Sequence, residues 1–349
     1  MLARTSRICH PSGLTLETPL LVPSFSSKGS AFKEVKASSG AESRISEVDD
    51  AMKECKGLGL VTEPILISAY DLHYKYFPSF EDVQRLPELI FIDSGGYETS
   101  SEYELSAVYN YPNDPEKWTA KKLCRILDAW PAHVPAVFVN FDSERRHKAV
   151  PTQIGIARRF FSRYPSHLHD ILLKPEKKGD PLNIQPVLRD PTILAGFDII
   201  GFTEKELGKS LLERLVKIAS MRTALDAHGI QSPLHVFGGL DPLSSSLYFI
   251  AGAEIFDGLT WLRYSYGSGI AMYTLNYGAI TFGVDHPDES VKARSLNDNI
   301  RCLQQLERSM KGYAETGDFS VFEDHADILE DAYDALQANL VVRPAGGEA

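Results

Sequence analysis

The chain has 349 residues, 43% hydrophobic and 10% aromatic, enough to bury the core of one large barrel or of two ordinary domains. A net charge of −11 argues against a uniformly basic nucleic-acid binder, but 14 acids and 6 bases fall from Asp285 onward, which leaves only −3 for residues 1–284. The four cysteines, Cys9, Cys55, Cys124 and Cys302, form no CxxC pair, which argues against a closed zinc site and a disulfide framework and suits a reducing compartment.

In chain order, the opening "MLARTSRICHPSG" lacks an apolar signal core, and no later run approaches membrane-spanning length, so a soluble cytoplasmic protein is expected. Short β-rich runs then recur: "LLVPSF", "ILISAY" (65–70), "LIFID" (89–93), "VFVNFD" (137–142), "NIQPVL" (183–188), "FDIIGF" (197–202), "LHVFGG" (234–239) and "IFDGLT" (255–260). "ILLKP" (171–175) is a ninth candidate with no assigned place. Between them lie amphipathic stretches such as "KELGKSLLERLVKIASMRTALDAHGI" (205–230), whose apolar spacing predicts a helix. Strands alternating with helices predict a parallel sheet, and eight of them an α/β fold of the (β/α)8 TIM-barrel type. A doubly wound open sheet is the alternative, but no GxGxxG follows the first strand.

In such a barrel the residues just past each strand converge on one mouth. Here they are Tyr70 and Asp71, Asp93, Asp142, Gln185, Gly201, Gly238 with Gly239, and Asp257. Three strands thus end on a carboxylate, which is costly to bury without a partner. Each alone also fits a turn or a helix cap; Asp93 in "DSGGY" is flanked by Gly95 and Gly96, ordinary turn residues. "ERRHK" (144–148), "ARRFFSR" (157–163) and "KPEKK" (174–178) are either solvated faces or a phosphate-binding stripe.

These segments resemble the tRNA-guanine transglycosylase family, which exchanges guanine in a nucleic acid for a 7-deazaguanine base. "DSGGY" (93–97) resembles the family's DSGGF, and "FIAGAEIFDGLTWLR" (249–263) the segment ending in its catalytic FDxxxPTR. "GLTLETPLLVPSFSSKG" (13–29) resembles its opening hairpin and first strand, and "NIRCLQQLERSMKGYAETGDFSVF" (299–322) its closing helices. "FVNFDSE", "NIQPV", "GFDIIGF" and "HVFGGLDP" follow in the family's order. The likeness covers roughly residues 3–325, with residues 326–349 left as an acidic C-terminal helix and tail.

By position, the resemblance implies Asp257 as nucleophile and Asp93 as the proton-handling carboxylate. It implies Asp142, Gln185 and the Gly201 backbone as contacts to the base, and Gly95, Gly96, Gly238 and Gly239 as bare backbone beside it. Tyr70 is either a stacking face or a core tyrosine. Arg145, Arg146, Lys148 and Arg263 are the candidate nucleic-acid contacts, and no cofactor is expected. The family's zinc-binding insertion is lacking: "GVDHPDESVKARSLNDNIRCL" (283–303) offers only His286 and Cys302. Ile200 replaces one of its paired glycines, and "GLTWLRYSYGSG" its proline and basic stretch. The acceptor, tRNA or DNA, stays open, as does the assembly, homodimer or hetero-oligomer. A hydrolase of nucleosides or glycosides and a non-catalytic partner subunit are the other readings.

Overall fold

Eight parallel strands close into a barrel: β1 (Leu20–Phe25), β2 (Ile65–Ser68), β3 (Ile90–Asp93), β4 (Ala136–Val139), β5 (Leu168–Leu173), β6 (Ile199–Thr203), β7 (Leu234–Phe237) and β8 (Ile255–Gly258). They follow one another around the barrel in chain order, and β8 returns to β1 with Ile255 opposite Leu20 and Asp257 opposite Val22. The protein is therefore a (β/α)8 barrel. The computed structural model describes residues 1–36, 42–59, 63–100, 115–142 and 148–341. Arg145 and Arg146, with most of the 144–148 cluster, and residues 342–349 of the acidic tail lie outside them.

Alternation along the strands sorts side chains into two cores. One parity points inward: Leu20 and Val22, Leu66, Leu89 and Phe91, Val137 and Val139, Leu168 and Leu172, Ile199, Phe237 and Ile255 fill the barrel. The other parity, including Ile67, Ile92, Phe138, Ile171, Phe202 and Phe256, packs beneath the helices. A hairpin of Arg7–Cys9 paired with Thr15–Glu17 brings Ile8, Leu14 and Leu16 onto the interior cluster.

One strand differs from the sequence expectation. "NIQPVL" is no strand: Asn183 Oδ1 accepts the Gln185 N–H, and Pro186 sits in the first turn of a helix, Gln185–Arg189. Proline is pre-set for that turn and cannot donate within a central strand. The fifth strand is instead Leu168–Leu173, which takes in most of the unassigned "ILLKP". The 205–230 helix also starts late, at Leu211, because the Ser210 side chain caps it by accepting the Glu213 N–H after a break at Gly208–Lys209. At the C-terminus, helix Asp288–Thr316 is followed by helix Ala326–Val341, whose Leu329 and Leu336 are fully buried in the helix-side core. Among the described residues no helix is long and apolar enough to cross a membrane.

Candidate active site

The C-terminal ends of β3 and β8 bring Asp93 and Asp257 into the barrel mouth, each nearly buried at 8% and 6% exposure. Their surroundings are opposite. Asp257 is held by donors: the Ser24 hydroxyl donates to Oδ2 at 2.7 Å, and the Gly238 N–H to Oδ1 at 3.1 Å. Ser24 is steadied in turn, its carbonyl accepting the Trp261 indole N–H at 3.0 Å. Gly238 adopts φ +79°, a conformation that suits glycine, and its N–H points at the carboxylate.

Asp93 has weaker support. Its Oδ2 accepts the Gly95 N–H at 3.2 Å, and burial, then the charges of Glu98 and Asp257, push its carboxyl up to about 7. Glu98 is itself buried, with Oε1 accepting from Ser26 at 2.5 Å and Oε2 without a hydrogen bond. Asp71, bonded to the backbone N–H and hydroxyl of Ser27, is raised well above the carboxylate range by burial and by Glu98.

Beneath Asp257 lie two groups that the sequence alone did not single out. His235 on β7 and Asp170 on β5 are fully buried inside the barrel, with Nδ1 and Oδ2 2.6 Å apart. His235 Nε2 lies 3.2 Å from Asp257 Oδ1, within ion-pair range but not aligned for a hydrogen bond. Burial pulls the imidazole down, yet the flanking Asp170 and Asp257 outweigh it and lift His235 to about 9. Assigning 168–173 as the fifth strand would have revealed Asp170, which shares the inward parity of Leu168 and Leu172.

The other predicted residues fall into three groups. Asp142 reaches the site and touches Gly96, where an added Cβ would lie 2.9 Å from Asp142 Oδ2. Asp142 is paired with Lys174 at 3.4 Å, and Lys174 also bonds Glu206 and Thr203. Lys174, not Gln185, leaves the end of β5; Gln185 is exposed on its helix.

Other glycines face protein. A Cβ on Gly201 would meet Phe237 at 2.4 Å and Asp170 at 2.8 Å, and one on Gly95 would meet Trp118 at 2.7 Å. A Cβ on Gly239 would meet Val236 at 2.9 Å. In the Cβ direction, Gly95 is backed by Trp118 and Gly96 by Asp142, so neither position has room for a larger side chain. Tyr70 belongs to the helix-side core against Tyr74, Tyr76 and Trp118, its hydroxyl accepting the Glu116 N–H.

Of the candidate phosphate contacts, Lys148 is exposed, whereas Arg263 donates to the Lys28 carbonyl at 3.1 Å and the Tyr97 hydroxyl at 3.4 Å. Among the described residues no group of three or more His, Cys, Asp or Glu is arranged to hold a metal ion. The chain matches no family model, and no curated protein matches it. What the mouth can do must therefore be argued from its own residues.

Proposed function

We propose that the protein is a glycosyl-transferring enzyme that exchanges guanine in a nucleic acid for a 7-deazaguanine base, with Asp257 as nucleophile and Asp93 as acid and then base. The observation that carries this is the contrast between two carboxylates in one mouth. Asp257 accepts hydrogen bonds from Ser24 and Gly238, while burial and the neighbouring carboxylates push Asp93 up to about 7. Two carboxyl groups in one mouth, one held by hydrogen-bond donors and the other retaining its proton more readily, are the equipment of retaining glycosyl transfer.

In the first half, an Asp257 oxygen attacks the ribose anomeric carbon as the carbon–nitrogen bond to guanine breaks. The bonding pair leaves with the base, which takes the Asp93 proton, and a glycosyl ester remains on Asp257. In the second half, ionised Asp93 removes a proton from the incoming base, whose nitrogen attacks the anomeric carbon and expels Asp257. Two inversions give net retention, and each group ends as it began.

The resemblance of "DSGGY" and "IFDG" supports a purine as the leaving and entering group, and tRNA as the acceptor ahead of DNA. A nucleoside or glycoside hydrolase using the same carboxylates is the second reading. Incubating the protein with labelled guanine and either tRNA or duplex DNA separates these readings. Label entering tRNA is the expected result; label in DNA alone moves the acceptor. Release of free base with no label incorporated in either overturns base exchange in favour of hydrolysis.

A further inference from the structure

Asp170, His235 and Asp257 run in a line through the barrel interior from β5 across β7 to β8, two of them fully buried and the third 6% exposed. An ionisable pair placed this deep is expensive, because desolvation opposes both charges. The barrel interior otherwise consists largely of Leu, Ile, Val and Phe, and an apolar pair would fill the same space without that penalty. Among the described residues, Asp170 Oδ1 and His235 Nε2 also have no hydrogen-bond partner, so this pair is not optimised for stability. Its one polar outlet is upward, toward Asp257 Oδ1.

We infer that His235 is a positioning residue for Asp257, anchored from below by Asp170, and that it holds the carboxylate aimed into the mouth. This rests on the assignment of Asp257 as nucleophile. Three groups converge on that carboxylate: Ser24 from β1, the Gly238 N–H from the turn after β7, and the His235 ring from β7 itself. The ring has little freedom. Phe237 stacks on it at 3.9 Å, Phe91 lies edge-on at 5.6 Å, and Asp170 fixes Nδ1. Asp170 and Asp257 are the charged groups in contact with the imidazole; Asp93 and Asp198 act one step removed, through Asp257 and Asp170 respectively. An imidazole 3.2 Å from one oxygen of Asp257 limits how that carboxylate can turn, and attack on the anomeric carbon requires a fixed oxygen.

The test uses full-length protein with 15N-labelled histidine, the His235 signals being identified by their loss in His235→Gln. At pH 7.5 the imidazole should be doubly protonated in the native protein and neutral in Asp170→Asn, which is isosteric. In single-turnover assays with the nucleic acid, both variants should lose about 100-fold in rate, with KM for the nucleic acid within a few-fold of native. A neutral His235 in the native protein at pH 7.5 overturns the inference, as does native turnover by folded Asp170→Asn. If His235→Gln does not fold, a titration of the native protein followed through its histidine signals, one of them staying cationic to about pH 9, decides the charge state. If the native protein exchanges no base at all, the proposed function fails while the imidazole measurement still reports on the clamp.

Discussion

At Asp93, burial and two neighbouring carboxylates oppose ionisation, against only the backbone N–H groups of Ser94 and Gly95. An unfolded aspartate titrates near 4. The folded protein therefore holds an extra proton between about pH 4 and 7, and its stability falls as pH rises through that window. Asp93→Asn removes the charge and should raise the melting temperature at pH 8, with the gain vanishing toward pH 4. Its turnover should collapse, since an amide carries no exchangeable acid proton for the base. A variant less stable than native at pH 8, with turnover per folded molecule intact, would mean that Asp93 only shapes the turn.

In the proposed exchange, the same group gives the two half-reactions opposite pH dependence. Guanine release needs protonated Asp93, so its rate should decline above about pH 7. Capture of the incoming base needs ionised Asp93, and by then Asp257 is an ester without charge. One cause of the elevation has disappeared, so the capture limb should fall only below a lower pH. Single-turnover measurement of each half separately checks this; two limbs of the same sign would contradict it.

At the scale of elements, alternating apolar runs revealed seven of the eight strands, because β-branched and aromatic residues bounded by Gly, Pro or Asp carry a period-two signal. The fifth strand was misplaced because "LHDILL" hides a buried charge at Asp170, while "NIQPVL" is apolar enough to imitate a strand despite Pro186. The error had a functional consequence. It put Gln185 at the mouth in place of Lys174 and left Asp170 and its partner His235 unnoticed. Asp93 and Asp257 were legible because each ends a strand. The contents of the glycine faces were not, because Trp118 and Phe237 reach them through tertiary packing.

Gly201 shows how tightly β6 and β7 are fitted: a methyl group there would meet the Phe237 ring at 2.4 Å and Asp170 Oδ1 at 2.8 Å. Gly201→Ala should therefore destabilise the protein by about 1–3 kcal/mol in denaturant unfolding, as overpacking does. Gly155→Ala, where an added Cβ meets nothing within 4 Å, is the control and should be neutral or slightly stabilising. Equal effects at the two sites would show that the Phe237 ring yields freely.

For the molecule as a whole, the acidic excess sits mainly from Asp285 onward, away in sequence from the clusters at 144–148, 157–163 and 174–178. Nucleic-acid binding follows the local field, so a net charge of −11 does not forbid it. Within the clusters the described residues differ in freedom. Arg158 donates to the Ile193 and Ala195 carbonyls and Arg163 pairs with Asp128, whereas Lys177 and Lys148 are exposed. Reversing Arg145 and Arg146 together should weaken binding and reduce the slope of log affinity against log salt by roughly 1.5 if both neutralise phosphates. An unchanged slope would remove that cluster from the interface.

The proposed exchange passes through a covalent bond between Asp257 and the sugar, which mass spectrometry of protein quenched in denaturant detects. Native protein mixed with nucleic acid and no incoming base should carry the nucleic acid as a hydroxylamine-sensitive ester, with digestion placing it on the peptide containing Asp257. Asp257→Asn should form none, and its exchange rate should drop by several orders of magnitude. Base exchange by the native protein with no trapped adduct, or an adduct that persists in Asp257→Asn, would mean that Asp257 is not the nucleophile.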